Sequence, residues 1–388
     1  MRRGGPCRPP RPPRRSGRHQ PRGRRVQPAR GGAVTLTRPR FGHLLRRRFD
    51  DGGQTLAEAG EGALLDLLVA AGAPGAGAAW AAVVVGSGDD AAALRVPEGE
   101  VVVATQDAVV EDVDFRREWT LPAAVGSKAL AVALSDVAAM GARPLCCTAT
   151  VCAAPATRVD DLLAIQAGLR LRGDKAGCPL VGGDVSEIAG PLVVDVAAIG
   201  TAPAGSLLRR SAGRPGQVLV VTGALGRAAA GLEVLRGAPV TRSLRSDRWV
   251  ALQNHGRARL REGVALAGAG VRCAGDLSDG LLVDAGRTAR ASGCGAELWL
   301  DALPVDAELR EAFPDSWADL AAGGGEDFEL LAAVDEAAAG DLLGRWPRGL
   351  APLTVVGRLV EGSGVRVLES ATSNREATLR LPRSRHFA

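Results

Sequence analysis

The run Lys128-Ala-Leu-Ala-Val-Ala-Leu-Ser-Asp-Val-Ala-Ala-Met-Gly-Ala-Arg-Pro144 decides how the rest of the chain is read. Pro122 stands upstream and Gly141 follows Met140. The pattern predicts a helix over residues 122–140, with proline near its first turn and glycine just past its end. From Ala129 to Met140 only Ser135 and Asp136 are polar. A helix apolar on nearly every side is buried nearly all round. A carboxylate there is costly unless it is bonded, paired or bound to metal. Lys128 is two turns away, outside the local i,i+4 reach. Asp136 is therefore either a structural acid or a functional one.

Outward from this helix, periodicity predicts strands over 81–85, 101–104, 145–153 and 192–198, and a helix over 160–176. Leu64, Leu65, Leu67 and Leu68 mark a short helix before them. Gly213-Arg-Pro-Gly216 is a boundary. Beyond it come a strand over 218–222, helices over 228–235 and 281–291, strands over 296–300, 328–334 and 354–359, and a helix near 337–343. Two successive units result, of α/β (α+β) class. The expected division is a disordered basic tail over 1–53, an N-terminal domain over 54–212 and a C-terminal domain over 213–388.

The charge is split along the chain. Of 48 Lys and Arg and 43 acids among 388 residues, the first fifty hold sixteen Arg and one acid, Asp50. The tail thus carries +15 and the remainder −10. An arm of this composition cannot offset its chain entropy by burial, and its only expected partner is nucleic acid, non-specifically. The acidic body is not expected to bind nucleic acid and is compatible with bound cations. Aromatics make up 3% and Tyr is absent, so no base-stacking platform is expected. No stretch of eighteen apolar residues predicts a membrane span. Seven Cys without a C-x-x-C pair read as reduced thiols of a cytoplasmic protein. His19, His43, His255 and His386 are too few and too scattered for a His-based site. Lys128 and Lys175 are the only lysines, so the Gly-Lys-Ser/Thr phosphate loop is absent.

The chemistry then falls to acids. Gly86-Ser-Gly-Asp-Asp-Ala91 fits a dinucleotide-loop spacing, but Pro97 and Gly99 leave no room for the helix such a loop must open. Two adjacent carboxylates make sense with a divalent cation between them and phosphate. Thr105-Gln-Asp107 offers two hard oxygen donors at a strand end. Val181-Gly-Gly-Asp184 pairs glycines that permit close approach with another acid. In Asp276-Leu-Ser-Asp-Gly280, Ser278 or Asp276 can cap the following helix, whose free amides suit phosphate. Gly323-Gly-Gly-Glu-Asp-Phe-Glu-Leu-Leu331 feeds two acids into a strand. Each motif alone is also readable as a turn, a cap or a solvated acid.

Taken in this order, the motifs resemble the thiamine-monophosphate kinases of the aminoimidazole ribonucleotide synthetase-like superfamily, over about residues 57–358. The most specific runs are 128–144, 276–282 (DLSDGLL) and 324–331 (GGEDFELL). The resemblance implies a strand-rich N-terminal domain that dimerises, a C-terminal α/β domain, and ATP-dependent phosphorylation of thiamine monophosphate. It implies Mg²⁺ ligands at Asp90, Thr105, Asp107, Asp136, Asp184, Asp276 and Asp279. It implies ATP contacts at Gly183, Asp184, Arg210 and Ser278, and substrate contacts at Asp114 and Glu326. Three positions depart from the family pattern: Gln106 replaces a hydroxyl, Asp114 stands where His is frequent, and only Phe387 stands where Trp or Tyr is usual near the C-terminus. No general base is expected, because the acceptor is a phosphate already ionised near neutral pH.

Two rivals within the superfamily lack their signatures. A selenophosphate synthetase needs a reactive Cys with Lys near the start of the globular region, and no Lys precedes Lys128. A hydrogenase-maturation protein needs a C-terminal Cys, and the last one here is Cys294. A non-catalytic nucleotide-binding module is the rival of another class. Intact acids in all five motifs weigh against it.

Overall fold

The computed structural model describes residues 41–71, 77–240 and 244–380. The expected disorder of the first forty residues lies outside this range. Strands β1 (Glu100–Val110), β2 (Arg143–Ala153), β3 (Leu180–Glu187) and β4 (Val193–Pro203) form a sheet in the order β1-β4-β2-β3. Only the β2–β3 pair is parallel. Along β1, Val101, Val103, Thr105, Asp107 and Val109 turn inward, while Val102, Ala104, Gln106 and Ala108 are exposed. The sequence pattern ends this strand near Ala104, because three polar residues follow. Pairing with β4 carries it on to Val110. Thr105 and Asp107 therefore share the inner face in mid-strand rather than ending it.

Helices α1 (Pro122–Ala139) and α2 (Val159–Ala176) pack on one another beneath that inner face. Pro122 opens α1, where a missing N–H costs nothing. Its apolar length would suit a membrane span, but 83% of it is buried inside the protein, as a core helix. Two glycines set the α1–α2 distance. A Cβ on Gly126 would lie 2.0 Å from the Ile165 carbonyl oxygen, and one on Gly168 would lie 1.8 Å from that of Ala123.

The second sheet comprises β5 (Val218–Thr222), β6 (Cys273–Asp276), β7 (Gly295–Trp299), β8 (Leu330–Val334), β9 (Leu353–Val360) and β10 (Val365–Leu368). Its order is β10-β7-β9-β5-β8-β6, antiparallel except between β10 and β7. Around it lie helices α3 (Arg227–Leu235), α4 (Leu244–His255), α5 (Leu260–Gly268) and α6 (Leu281–Ala291). The sequence reading omits β3, β6, β10, α4 and α5. Gly182-Gly183-Asp184 in β3 reads as a turn, and four-residue β6 has no β-branched residue. Helix α1 touches β1 and β4 of the first sheet and also α5 and β6 of the second unit. It is the joint that brings the acids of both units together.

The tail boundary at residue 53 needs correction. Leu44 is buried in the first core, and Arg47 is 3% exposed. Arg47 donates to Asp161 Oδ1 at 2.7 Å and to the Gly52 carbonyl at 2.6 Å. Residues 44–53 thus belong to the body. Their three consecutive arginines hide the one that is buried.

Candidate active site

Asp136 projects from α1 toward the inner face of β1, where Thr105 Oγ1 donates to its Oδ2 at 2.5 Å. It is only half-buried, against the full burial that the apolar run implies. Asp107 lies on the same face of β1. Its Oδ2 is buried with no hydrogen-bond partner. Burial, then the negative charges of Asp136 and Asp195, push its carboxyl up to about 6. From the second unit comes Asp276, at the end of β6 and 2% exposed. It accepts from Ser135 Oγ and from Arg210 Nη2, both at 2.9 Å. Burial and Asp136 nonetheless push it up to about 7, outweighing the opposing effects of Ser135 and Arg210.

Asp136 thus repels an acid on either side. Thr105, Asp107, Asp136, Asp276 and Arg210 are brought together. Ser135 joins them without having been assigned by sequence, while Asp195 stands on the opposite, outer face of the sheet, accepts from Gln106 there and reaches Asp107 through its charge alone. Ser135 was visible as the other polar residue of the apolar run.

The remaining residues lie elsewhere. Asp90 is exposed in the 86–92 loop, its amide bonded to Asp89 Oδ1 at 2.8 Å. Asp184 is exposed on β3, where Ser186 donates to it at 2.9 Å. Its register partner is Thr150, which faces Asp195, so it stands on the outer face three strands from β1, roughly 14 Å away. Gly183 is in that strand because a Cβ would meet the Ala149 carbonyl oxygen at 2.0 Å. Strand packing accounts for this glycine without a ligand. Asp279 pairs with Arg287, which also holds Asp284 at 2.7 Å. Ser278 accepts the Glu326 amide on its carbonyl at 2.8 Å.

Glu326, at φ 67°, forms a second centre. Its Oε2 accepts from Lys128 Nζ at 2.8 Å and from Gln253. Lys128 Nζ also donates to the Asp114 carbonyl at 2.7 Å, while the Asp114 carboxylate pins its own turn through the Val110 amide at 2.8 Å. Asp114 and Glu326 are therefore joined through Lys128. The other acids of the 324–331 run do structural work. Asp327 caps α3 through the amides of Gly226 and Ala228, at 2.6 and 3.0 Å. Glu329 holds Arg259.

Among the described residues no three His, Cys, Asp or Glu side chains are gathered into a ready metal cage. The donors still suit a hard cation. They are carboxylates and a hydroxyl, one oxygen is buried without a partner, and two acids are pushed up by burial and then by the charge of Asp136.

Comparison with known proteins follows this division. Residues 88–202 match the AIR synthase related protein N-terminal domain, and residues 214–369 match the corresponding C-terminal domain. The thiamine-monophosphate kinase of Salmonella typhimurium is 38% identical over 262 residues, covering 66% of this chain and 78% of that protein. The crystal structure of thiamine-monophosphate kinase from Stenotrophomonas maltophilia K279a superposes with a TM-score of 0.68 at 35% identity, over 75% of this chain and 92% of that one. A structure of AaThiL complexed with AMPPCP and TMP has a TM-score of 0.63 at 27% identity, over 70% and 85%. The two matched domains, this degree of identity and the superposition over most of both chains place the chain in the thiamine-monophosphate kinase family.

Proposed function

We propose that this protein transfers the terminal phosphoryl group of ATP to the phosphate of thiamine monophosphate, giving thiamine diphosphate. The observation that carries the reading is Asp136 flanked by Asp107 and Asp276, two acids pushed up by burial and then by its charge. Such a cluster is unfavourable by itself and becomes favourable with a divalent cation between the carboxylates. Thr105, Asp107, Asp136 and Asp276 would hold Mg²⁺, which neutralises charge on the phosphates of both substrates. Asp90, Asp184 and Asp279 are the outlying members of the proposed ligand set, and Gly183, Asp184, Arg210 and Ser278 the proposed ATP contacts.

Arg210 presents a guanidinium beside Asp276, placed to neutralise a phosphate oxygen. Glu326, with its Oε2 fixed, is the proposed partner of the cationic thiazolium, and Asp114 borders the same end. No proton needs to be removed from the acceptor, so the residues align and neutralise. The domains are proposed to divide at 212/213.

A homodimer is the proposed assembly. Among the described residues no helix packs on the outer face of the first sheet, and Val102 is 53% exposed there, beside exposed Ala104 and Ala108. The proposed compartment is the cytoplasm, in keeping with six free cysteines among the described residues. Incubation of the purified protein with ATP, Mg²⁺ and thiamine monophosphate tests the function. Thiamine diphosphate should form in step with ADP. ADP release without it would overturn the reading.

A further inference from the structure

Leu134 of α1 lies about 200° around the helix from Asp136. On that far side it borders a cavity of about 940 Å³. Eight cationic side chains and two carboxylates line it, an excess of six positive charges in a body that is otherwise acidic. Arg172 and Lys175 come from the end of α2, Arg227 from α3 and Arg248 from α4. The segment before α5 adds Arg257 and Arg259, α5 adds Arg261, and the loop before β9 adds Arg348.

Two of these charges are balanced. Arg227 forms a bidentate pair with Asp306, at 2.6 and 2.7 Å, and Arg259 is held by Glu329 and Glu262. The others are not. Arg172 spends its donors on neutral oxygens: Ser127 Oγ at 2.9 Å and the carbonyls of His255 and Gly256 at 2.9 and 3.1 Å. Among the described residues, the side chains of Lys175, Arg248, Arg257, Arg261 and Arg348 make no hydrogen bond or ion pair.

We propose that this cavity is a binding site for a small molecule bearing two or more linked phosphate groups, separate from the carboxylate cluster. Its volume is that of a small-molecule pocket. Guanidinium forks match pairs of phosphate oxygens, and a concave wall of one sign concentrates an oppositely charged ligand. Burial and then the charge of Arg257 hold Arg172 below the usual arginine range, and burial and then the charge of Arg259 do the same to Arg257 against the pull of Glu329 and Glu262, so an anion would relieve a repulsion already present. Nucleic acid is the poorer fit, because no aromatic side chain lines the cavity for a base to stack on.

The test is calorimetric titration of the full chain with inorganic pyrophosphate in EDTA. Without metal the carboxylate cluster repels pyrophosphate, so saturable binding reports on the arginine cavity. One site should be seen, with affinity falling as salt is raised. The exposed pair Arg261→Gln/Arg348→Gln should weaken it by about tenfold or more while melting temperature and kinase rate hold. Absence of saturable binding at low salt would overturn the proposal. So would binding unchanged in that variant, or sulfate binding as tightly as pyrophosphate.

Discussion

Lys128 Nζ lies 2.8 Å from Glu326 Oε2, although 198 residues separate them in sequence. Lys128 is 1% exposed and Glu326 26%. The pair ties α1 to the loop following the triple glycine, and so ties the first unit to the proposed thiamine-binding acid. Lys128→Met should raise KM for thiamine monophosphate about tenfold, roughly 1.4 kcal/mol, with KM for ATP little changed. Removing one partner of a buried pair costs about 3–5 kcal/mol, and less here because Glu326 is part-exposed. Glu326→Gln should raise the same KM. If Lys128 acts through Glu326, the double variant should lose less than the sum of the two, in both KM and melting temperature. Strict additivity would separate the two residues.

Asp136→Asn should abolish most turnover, by roughly 100-fold or more, without unfolding the protein. The pH dependence gives the sign. Asp107 and Asp276 have folded values of about 6 and 7, above the ordinary value of 3.8. The folded state therefore binds more protons than the unfolded one from about pH 4 to 7, and stability falls as pH rises through that window. In EDTA, melting temperature should decline from pH 5 to 8. The substitution should flatten that decline, and Mg²⁺ should reverse it in the parent protein only. An equally steep decline in the variant would remove Asp136 from the cluster.

The helix contact at Gly168 is intolerant of a single methyl. Gly168→Ala places Cβ 1.8 Å from the Ala123 carbonyl oxygen, so α1 and α2 must separate. A loss of about 1–3 kcal/mol or more is expected. Gly340 is also helical, but has nothing within 4 Å of its Cβ position. Gly340→Ala should instead gain about 0.5–1 kcal/mol. Denaturant melts of the two variants should move in opposite directions.

Arg47 divides the basic N-terminal region into two parts. Removing residues 1–40 should leave melting temperature and activity unchanged, and should reduce retention on heparin. Removing residues 1–54 should lower melting temperature, because Asp161, which is 0% exposed, loses its cation. Arg47→Met should reproduce that loss, at about 3–5 kcal/mol. A melting temperature unmoved by Arg47→Met would mean that Asp161 is satisfied without it.

Local pattern was enough to specify the helix over 281–291, the burial of α1, the strand over 218–222 and the order of the acids along the chain. Each of these depends on neighbours a few residues apart, which hydrophobic period and capping record directly. Which acids meet is a different matter. Asp276 reaches Ser135 across 141 residues because α1 lies against both sheets. Thr105 and Asp107 face Asp136 only because β1 continues to Val110 in register with β4. The same alternation turns Gln106 outward, and the sheet order puts Asp184 on the far strand. Lys128, read from sequence as too distant to matter to Asp136, finds Glu326 in the other unit. Sequence names the candidate oxygens. Strand register and the crossing of one helix between two sheets, both set by long-range packing, decide which of them share a space small enough for their charges to repel.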